Sequence, residues 1–333
     1  MKVHGKNYRA VWMQGRNVIV IDQRLLPHKF KLLRLRNHME TAEAIRNMTI
    51  RGAGTIGATA AYGMAQAFLE DASSEYIAKA YNTLVTTRPT AVDLKHALDR
   101  VLVAAGNART AIAEANRIAD EYVTRMQRLA AVGLPLFKRG TRVLTHCNAG
   151  WLAIVDWGSA TAPIYLAHRK KRNVFVWVDE TRPRCQGANL TSWELLQERV
   201  PHKVIADNAA GFYMRRSEVD LCIVGADRIA ANGDTANKIG TYEKAVLAKE
   251  NGIPFYIAAP SSTIDLRCPS GAGIPIEERD ENEVLFLGRQ RITAPGVRAG
   301  NPAFDVTPAK CITGIITERG IFKPGQMRKA VHG

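Results

Sequence analysis

A chain of 333 residues that is 46% hydrophobic and 23% charged is too apolar to be disordered and long enough for one large α/β unit or two domains with real cores. The formal charge of +15 suits phosphorylated metabolites as well as nucleic acid. The basic residues are spread along the chain, with only short clusters such as HRKKR (168–172), and no aromatics interleave with them, which argues against nucleic acid as the main partner. No apolar run approaches the roughly 20 residues that span a bilayer. The N-terminal MKVHGKNYRAVWMQG lacks the apolar core and small-residue cleavage site of a signal peptide. The five cysteines (147, 185, 222, 268 and 311) are scattered and form no CxxC. That argues against a disulfide framework or a zinc site, and for reduced thiols in a cytoplasmic protein.

In chain order, RAVWMQGRNVIVID (9–22) predicts a hairpin around Gly15-Arg16-Asn17. TAEAIRNM (41–48) reads as a helix with Thr41 as its cap. Helical periodicity continues through GATAAYGMAQAFLE, SSEYIAKAYNTLVT, TAVDLKHALDRVLVAAG and RTAIAEANRIADEYVTRMQRLAAVG, as far as residue 133. VGLPLFKRG (132–140), with its Gly and Pro, is a natural junction. Beyond it, short apolar runs (RVLTHC, NVFVWVDE, HKVIAD, DLCIVGAD, PFYIAA) alternate with helical segments, the pattern of a parallel sheet with crossovers. The expectation is an α/β chain: an N-terminal domain of a few strands plus a helical layer over 1–132, then a catalytic domain over 133–333.

Several of these runs close in polar residues: Cys147-Asn148, Asp179-Glu180, Asp207-Asn208 and Asp227-Arg228. A parallel sheet gathers its carboxyl ends on one edge, where ligands bind. His146 beside Cys147 suggests a nucleophile pair, but neighbours on a strand point to opposite faces, so a direct Cys–His bond is not expected.

IRGAGTIGATAAYG (50–63) runs glycine-rich into a helix beside Arg51. Backbone N–H groups there suit a phosphate, and close packing of small residues explains the same pattern. It follows no clear strand and lacks the Gly-Lys-Ser/Thr of a P-loop. In TTRPTAVDL, Arg88 precedes a proline that can open a helix. It reads as a phosphate fork or a solvated surface arginine. In VDETRPRCQGANLTSWEL, Asn189 or Thr191 is a candidate cap, and Asp179 and Glu180 are candidate partners for Arg182 and Arg184. Gln186 has no evident structural need. In GADRIAANGDTANKIGTY, Asp227 closes a strand, and Asn237 and Lys238 suit a phosphate or a sugar hydroxyl.

With RGAGTIG, RPTAVDL, THCNAG, DNAAG, IPFYIAAPSSTID, IPIEER, NPAFDVTP and GIITERGI in order over about 50–322, the chain resembles the 5-methylthioribose-1-phosphate isomerases. That family is related to ribose-1,5-bisphosphate isomerases and to the regulatory subunits of translation initiation factor 2B. The resemblance implies a Rossmann-like C-terminal domain, a homodimer, and an aldose–ketose isomerisation of 5-methylthioribose 1-phosphate in methionine salvage. It implies catalytic Cys147 and Asp227, and substrate contacts at Arg51, Gly52, Ala53, Arg88, Gln186, Asn237 and Lys238. The sequence shows no metal cluster or nucleotide fingerprint, so neither cofactor nor metal is expected. The alternatives are a ribose-1,5-bisphosphate or 5-deoxyribose-1-phosphate isomerase, and a non-catalytic regulatory subunit that senses sugar phosphates. One departure stands out: the family loop reads Arg-Gly-Ala-Pro-Ala-Ile-Gly, whereas Gly54-Thr55 stand here at the Pro-Ala positions, which leaves the 5-substituent open.

Overall fold

The computed structural model describes residues 1–88 and 92–332. They fold as two compact units, residues 1–127 with 149–158, and residues 128–148 with 159–333.

The first unit opens with β1 (Lys2–Val3) and β2 (Lys6–Asn7), an antiparallel pair. The expected hairpin follows as β3 (Val11–Gln14) and β4 (Asn17–Ile21), and β5 (Leu32–Leu35) adds an unforeseen third strand. Helices α1 (His38–Arg46), α2 (Ala53–Glu70), α3 (Ser74–Val85), α4 (Val92–Ala104) and α5 (Ala108–Gly133) complete the layer, α5 ending beyond the unit. Thr41 is not the cap of α1. Asn37 is, its side chain accepting the Glu40 N–H at 2.8 Å. Thr41 lies fully buried inside the helix, donating to Gln66 Oε1 at 2.6 Å.

α2 is buried from Gly54 to Ala67, and its small residues permit close packing. A Cβ on Gly57 would come 2.9 Å from the Tyr122 hydroxyl, and one on Gly63 2.9 Å from Thr41 Cγ2. Residues 149–158 pack against the start of this helix. Thr55, fully buried, donates through Oγ1 to the Leu152 carbonyl and accepts the Val155 N–H, both at 2.9 Å.

The second unit is built on β6 (Arg142–Thr145), β7 (Phe175–Asp179), β8 (His202–Ile205), β9 (Leu221–Val224), β10 (Arg228–Ala230), β11 (Thr235–Lys238), β12 (Phe255–Ala258) and β13 (Ile264–Asp265). After these come β14 (Phe286–Leu287), β15 (Gln290–Arg291), β16 (Phe304–Thr307), β17 (Gly314–Thr317) and β18 (Gly320–Phe322). Its helices include α6 (Thr161–Arg169), α7 (Ser192–Gln197), α8 (Ala210–Arg215) and α9 (Thr241–Glu250).

Seven strands form one sheet in the order β18-β17-β12-β9-β6-β7-β8, parallel except for β18. The chain starts at β6, runs outward through β7 to β8, then returns to β9 on the other side of β6. This is the Rossmann-like order, and the strand direction of travel reverses between β6 and β9. Both are buried apolar runs, and each fully buried Val, Leu or Ile contributes about 1.5–3 kcal/mol. Trp177 stacks on Tyr213 with ring centroids 4.0 Å apart. A smaller sheet, β13-β10-β11-β16, carries the GADRIAANGDTANK segment.

Candidate active site

Cys147 lies two residues beyond β6 and Asp227 three beyond β9, so the two follow the neighbouring strands that flank the reversal point. Open α/β sheets bind ligands at that crevice. Asp227 does not close a strand. It opens the turn into the small sheet, its N–H donating to the Ala236 carbonyl at 2.9 Å. Its side chain is exposed, so the chain itself does not bury this carboxyl.

Cys147 is half-buried and held in the left-handed region, with φ +63°. Such a backbone costs a non-glycine residue about 1–3 kcal/mol, and its surroundings must hold it there. They do so on both sides. The Cys147 N–H donates to Thr181 Oγ1 at 2.8 Å, and its carbonyl accepts from the Thr191 hydroxyl at 2.6 Å. Thr181 is itself left-handed (φ +65°), and its N–H donates to Asp207. The next residue, Asn148, is also pinned: its amide donates to Thr191 and to the fully buried Glu194.

Thr191 is therefore an anchor for the Cys147 turn and not the helix cap expected for it. It and Asn189 sit within a π-helical turn, Gly187–Thr191, that leads straight into α7. Gln186 precedes that turn and is buried, with no hydrogen-bond partner for Oε1. Gly187 is required there, because a Cβ would fall 1.7 Å from the Asp179 carbonyl oxygen.

The expected pairing of Asp179 with the loop arginines does not form. Asp179 is fully buried and faces His146 Nδ1 at 2.9 Å, with Lys244 3.8 Å away. Arg184 pairs instead with Glu283 at 3.1 Å, and Arg182 donates to the Val284 carbonyl at 2.8 Å. Burial pushes the Asp179 carboxyl above its usual range. His146 does turn away from Cys147: its Nε2 lies 2.8 Å from the Ile239 carbonyl.

Asn237 and Lys238 end β11, where they pair with Asp305 and Phe304 of β16. Both are buried. Asn237 donates to the Thr241 hydroxyl at 3.0 Å. Lys238 Nζ donates to the Ala303 carbonyl at 2.8 Å and lies 4.5 Å over the Phe304 ring. Burial pulls its ammonium below the ordinary lysine value. Cys147, Asp227 and Glu283 oppose that pull and Arg279 adds to it. Cys147 and Asp227 thus each lie within electrostatic reach of Lys238, and a charged lysine stripped of water is a strong site for a phosphate.

Arg51, Gly52, Ala53 and Arg88 belong to the first unit. Gly52 has φ +88° and precedes α2, and a Cβ there would come 2.4 Å from Ala153 Cα. Arg51 and Arg88 are half-buried. Pro89, the expected helix opener, lies outside the described residues. Gly54 and Thr55 have a packing explanation: a Cβ on Gly54 would come 2.7 Å from Ile154 Cγ2, and Thr55 clamps the 152–155 backbone.

Thr181, Phe304 and Arg279 went unread in the sequence, and Thr191 reads there only as a candidate cap. Phe304 and Arg279 fall inside NPAFDVTP and IPIEER, so those stretches carried a signal. Among the described residues, His146, Asp179 and Asp207 offer possible metal-ligand atoms within 4.8 Å of one another. Both His146 nitrogens already face oxygen partners, and Asp207 accepts the Thr181 and Arg182 N–H groups, each at 2.7 Å. The grouping is a hydrogen-bond network. No helix among the described residues is long and apolar enough to cross a membrane.

Residues 49–324 match the family described as the initiation factor 2 subunit family. The chain is 52% identical to a methylthioribose-1-phosphate isomerase of Methylorubrum extorquens, over 96% of this chain and 95% of that one. It is 49% identical to the enzyme of the same name from Rhizobium meliloti, over 97% and 96%. Among solved structures, 5-methylthioribose 1-phosphate isomerase from Pyrococcus horikoshii superimposes with a TM-score of 0.92 at 46% identity, covering 98% of this chain and 96% of that one. The delta subunit of translation initiation factor eIF-2B from A. fulgidus gives 0.91 at 37% identity, covering 98% and 100%. Near-equal scores for an isomerase and an initiation-factor subunit mean that the fold alone does not separate the two activities.

Proposed function

We propose a role for each site residue from one premise: the chain belongs to the initiation factor 2 subunit family, and within it is an isomerase that converts 5-methylthioribose 1-phosphate to 5-methylthioribulose 1-phosphate. The observation that carries the proposal is the placement of Cys147 and Asp227 after the two strands that flank the reversal point, with buried Lys238 in electrostatic reach of both.

A phosphate on C1 prevents simple opening to a free aldehyde, so the ring C1–O bond breaks with the ester in place. Asp227 gives a proton to the ring oxygen as that bond breaks. Cys147, as thiolate, removes the proton from C2, and the C–H electrons form the C1–C2 double bond of an enol phosphate. Asp227 then takes the proton of the C2 hydroxyl, C2 becomes a ketone, and Cys147 returns its proton to C1. Atoms and charge balance, and no outside redox partner is needed. Because Asp227 is exposed, the bound sugar must supply the cover that favours its acid form.

Lys238 binds the phosphate, and Gln186 and Asn237 orient hydroxyls. As further substrate contacts we propose Arg51, the Gly52 and Ala53 backbone at the start of α2, and Arg88. We place the protein in the cytoplasm and propose a homodimer. Supporting the dimer, Phe212, Tyr242, Val246 and Leu247 of α8 and α9 and Val204 of the edge strand β8 are exposed.

The test is turnover of three α-1-phosphates, those of 5-methylthioribose, 5-deoxyribose and ribose 5-phosphate, followed by phosphorus NMR. Preference for the methylthio sugar is expected, and preference for either other sugar would reassign the substrate. With substrate deuterated at C2, loss of deuterium to solvent supports proton transfer. A hydride shift carries the label to C1 with no exchange, so any loss excludes it.

A further inference from the structure

We propose that His146, held between Asp179 and the Ile239 carbonyl, is a positioning residue that fixes the distance between Cys147 and Lys238. The inference rests on the reading of those two residues as site groups.

His146 is 1% exposed and directly precedes Cys147, while Ile239 directly follows Lys238. Nδ1 lies 2.9 Å from Asp179 Oδ2 and Nε2 lies 2.8 Å from the Ile239 carbonyl oxygen. A carbonyl only accepts, so Nε2 carries a hydrogen. The Nδ1–carboxyl contact then holds one further proton, on the ring or on the acid, and the pair is neutral as a whole in either form. One ring therefore ties together two backbone segments 93 residues apart.

The far side of the bridge is equally constrained. Gly240 has φ +97°, and a Cβ there would come 3.0 Å from His146 Cε1, so the turn closes directly onto the ring. Asp305 accepts the Gly240 and Tyr242 N–H groups at 2.7 and 3.0 Å. Ile239 donates to Ala303, which also accepts from Lys238 Nζ. The other charged groups about the pair are occupied: Lys244 by Glu243, and Asp207 by the Thr181 and Arg182 N–H groups. The ring contacts no reacting atom. It sets where the Cys147 loop and the Lys238 turn stand, and a misplacement of about 1 Å costs on the order of 10²-fold in rate.

The test compares His146→Gln, whose amide reaches as far as Nε2 and keeps the Ile239 bond, with His146→Asn, whose shorter amide keeps only the Asp179 side. Folding is checked by circular dichroism and melting. The expected result is a loss of about 10²-fold in kcat/KM for the Asn variant and recovery of most of it in the Gln variant. Equal losses in both, or wild-type kinetics in both, would overturn the inference. If neither variant folds, nitrogen NMR of the His146 ring in the intact enzyme decides: a protonated Nε2 supports the bridge and a bare Nε2 refutes it. Cys147→Ser in the same assay separates the two layers. Wild-type turnover there overturns the site reading and this inference with it. An inactive Cys147→Ser beside indistinguishable His146 variants overturns the positioning role alone.

Discussion

The Cys147 N–H donates to the Thr181 hydroxyl at 2.8 Å, and both residues hold left-handed backbone. A strained cysteine is thus braced by a strained threonine, which in turn is fastened to Asp207. Thr181→Val keeps the shape and removes the acceptor. It should destabilise the fold by about 1–3 kcal/mol, the cost of an orphaned N–H, and lower kcat, while Thr181→Ser retains both properties. Denaturant unfolding and steady-state kinetics on the three proteins check this.

Gln186 is buried with an unpartnered Oε1, a cost that a purely structural residue has no reason to carry. Gln186→Leu should leave the melting temperature unchanged or raise it, and lower kcat/KM by about tenfold, the worth of one hydrogen bond to substrate. A destabilised variant with normal kinetics would make the residue structural.

Burial holds the Lys238 ammonium below the ordinary lysine value. The sign follows: the cation is present at lower pH and is lost as pH rises through that lowered value, taking phosphate attraction with it. kcat/KM should therefore fall on the alkaline side before the ordinary lysine value of about 10.4 is reached. Lys238→Met should bind poorly at all pH values and lack that limb. A pH profile of kcat/KM for both proteins is the check.

Thr55 makes two buried hydrogen bonds to the 152–155 backbone. Thr55→Val should destabilise the protein by about 1–3 kcal/mol through the unpaired Val155 N–H. If Thr55 serves packing alone, the ranking of sugar substrates stays the same. A changed ranking would return this position to substrate selection.

The parallel sheet was legible because its strands are short buried apolar runs separated by helices, a pattern with few other solutions. The small sheet was not. β10 and β13 are only three and two residues long, and β11 (TANK) and β16 (FDVT) mix polar residues into what would be an apolar run, and so Asp227 reads as a strand end when it opens a turn. Thr41 misled because an internal helical hydroxyl that bonds another helix looks, in sequence, like a cap. Cys147 could be picked out as a polar residue at the end of an apolar run, Gln186 as a loop residue with no evident structural need and Lys238 as a cation suited to a phosphate, and the family resemblance pointed to all three. The threonines that hold the Cys147 turn could not, since a hydroxyl across 34 or 44 residues leaves no local signal. Nor does the chain announce that residues 149–158 pack with the first unit while their neighbours belong to the second.

The most direct test is turnover of 5-methylthioribose α-1-phosphate by the wild-type protein, Cys147→Ser and Asp227→Asn, followed by phosphorus NMR, with binding measured by calorimetry alongside. The expected result is ketose formation by the wild type and a loss of about 10²–10⁴-fold in each variant, with binding retained. Wild-type rates in either variant, or a wild-type protein that binds the sugar phosphate and never converts it, would contradict the account.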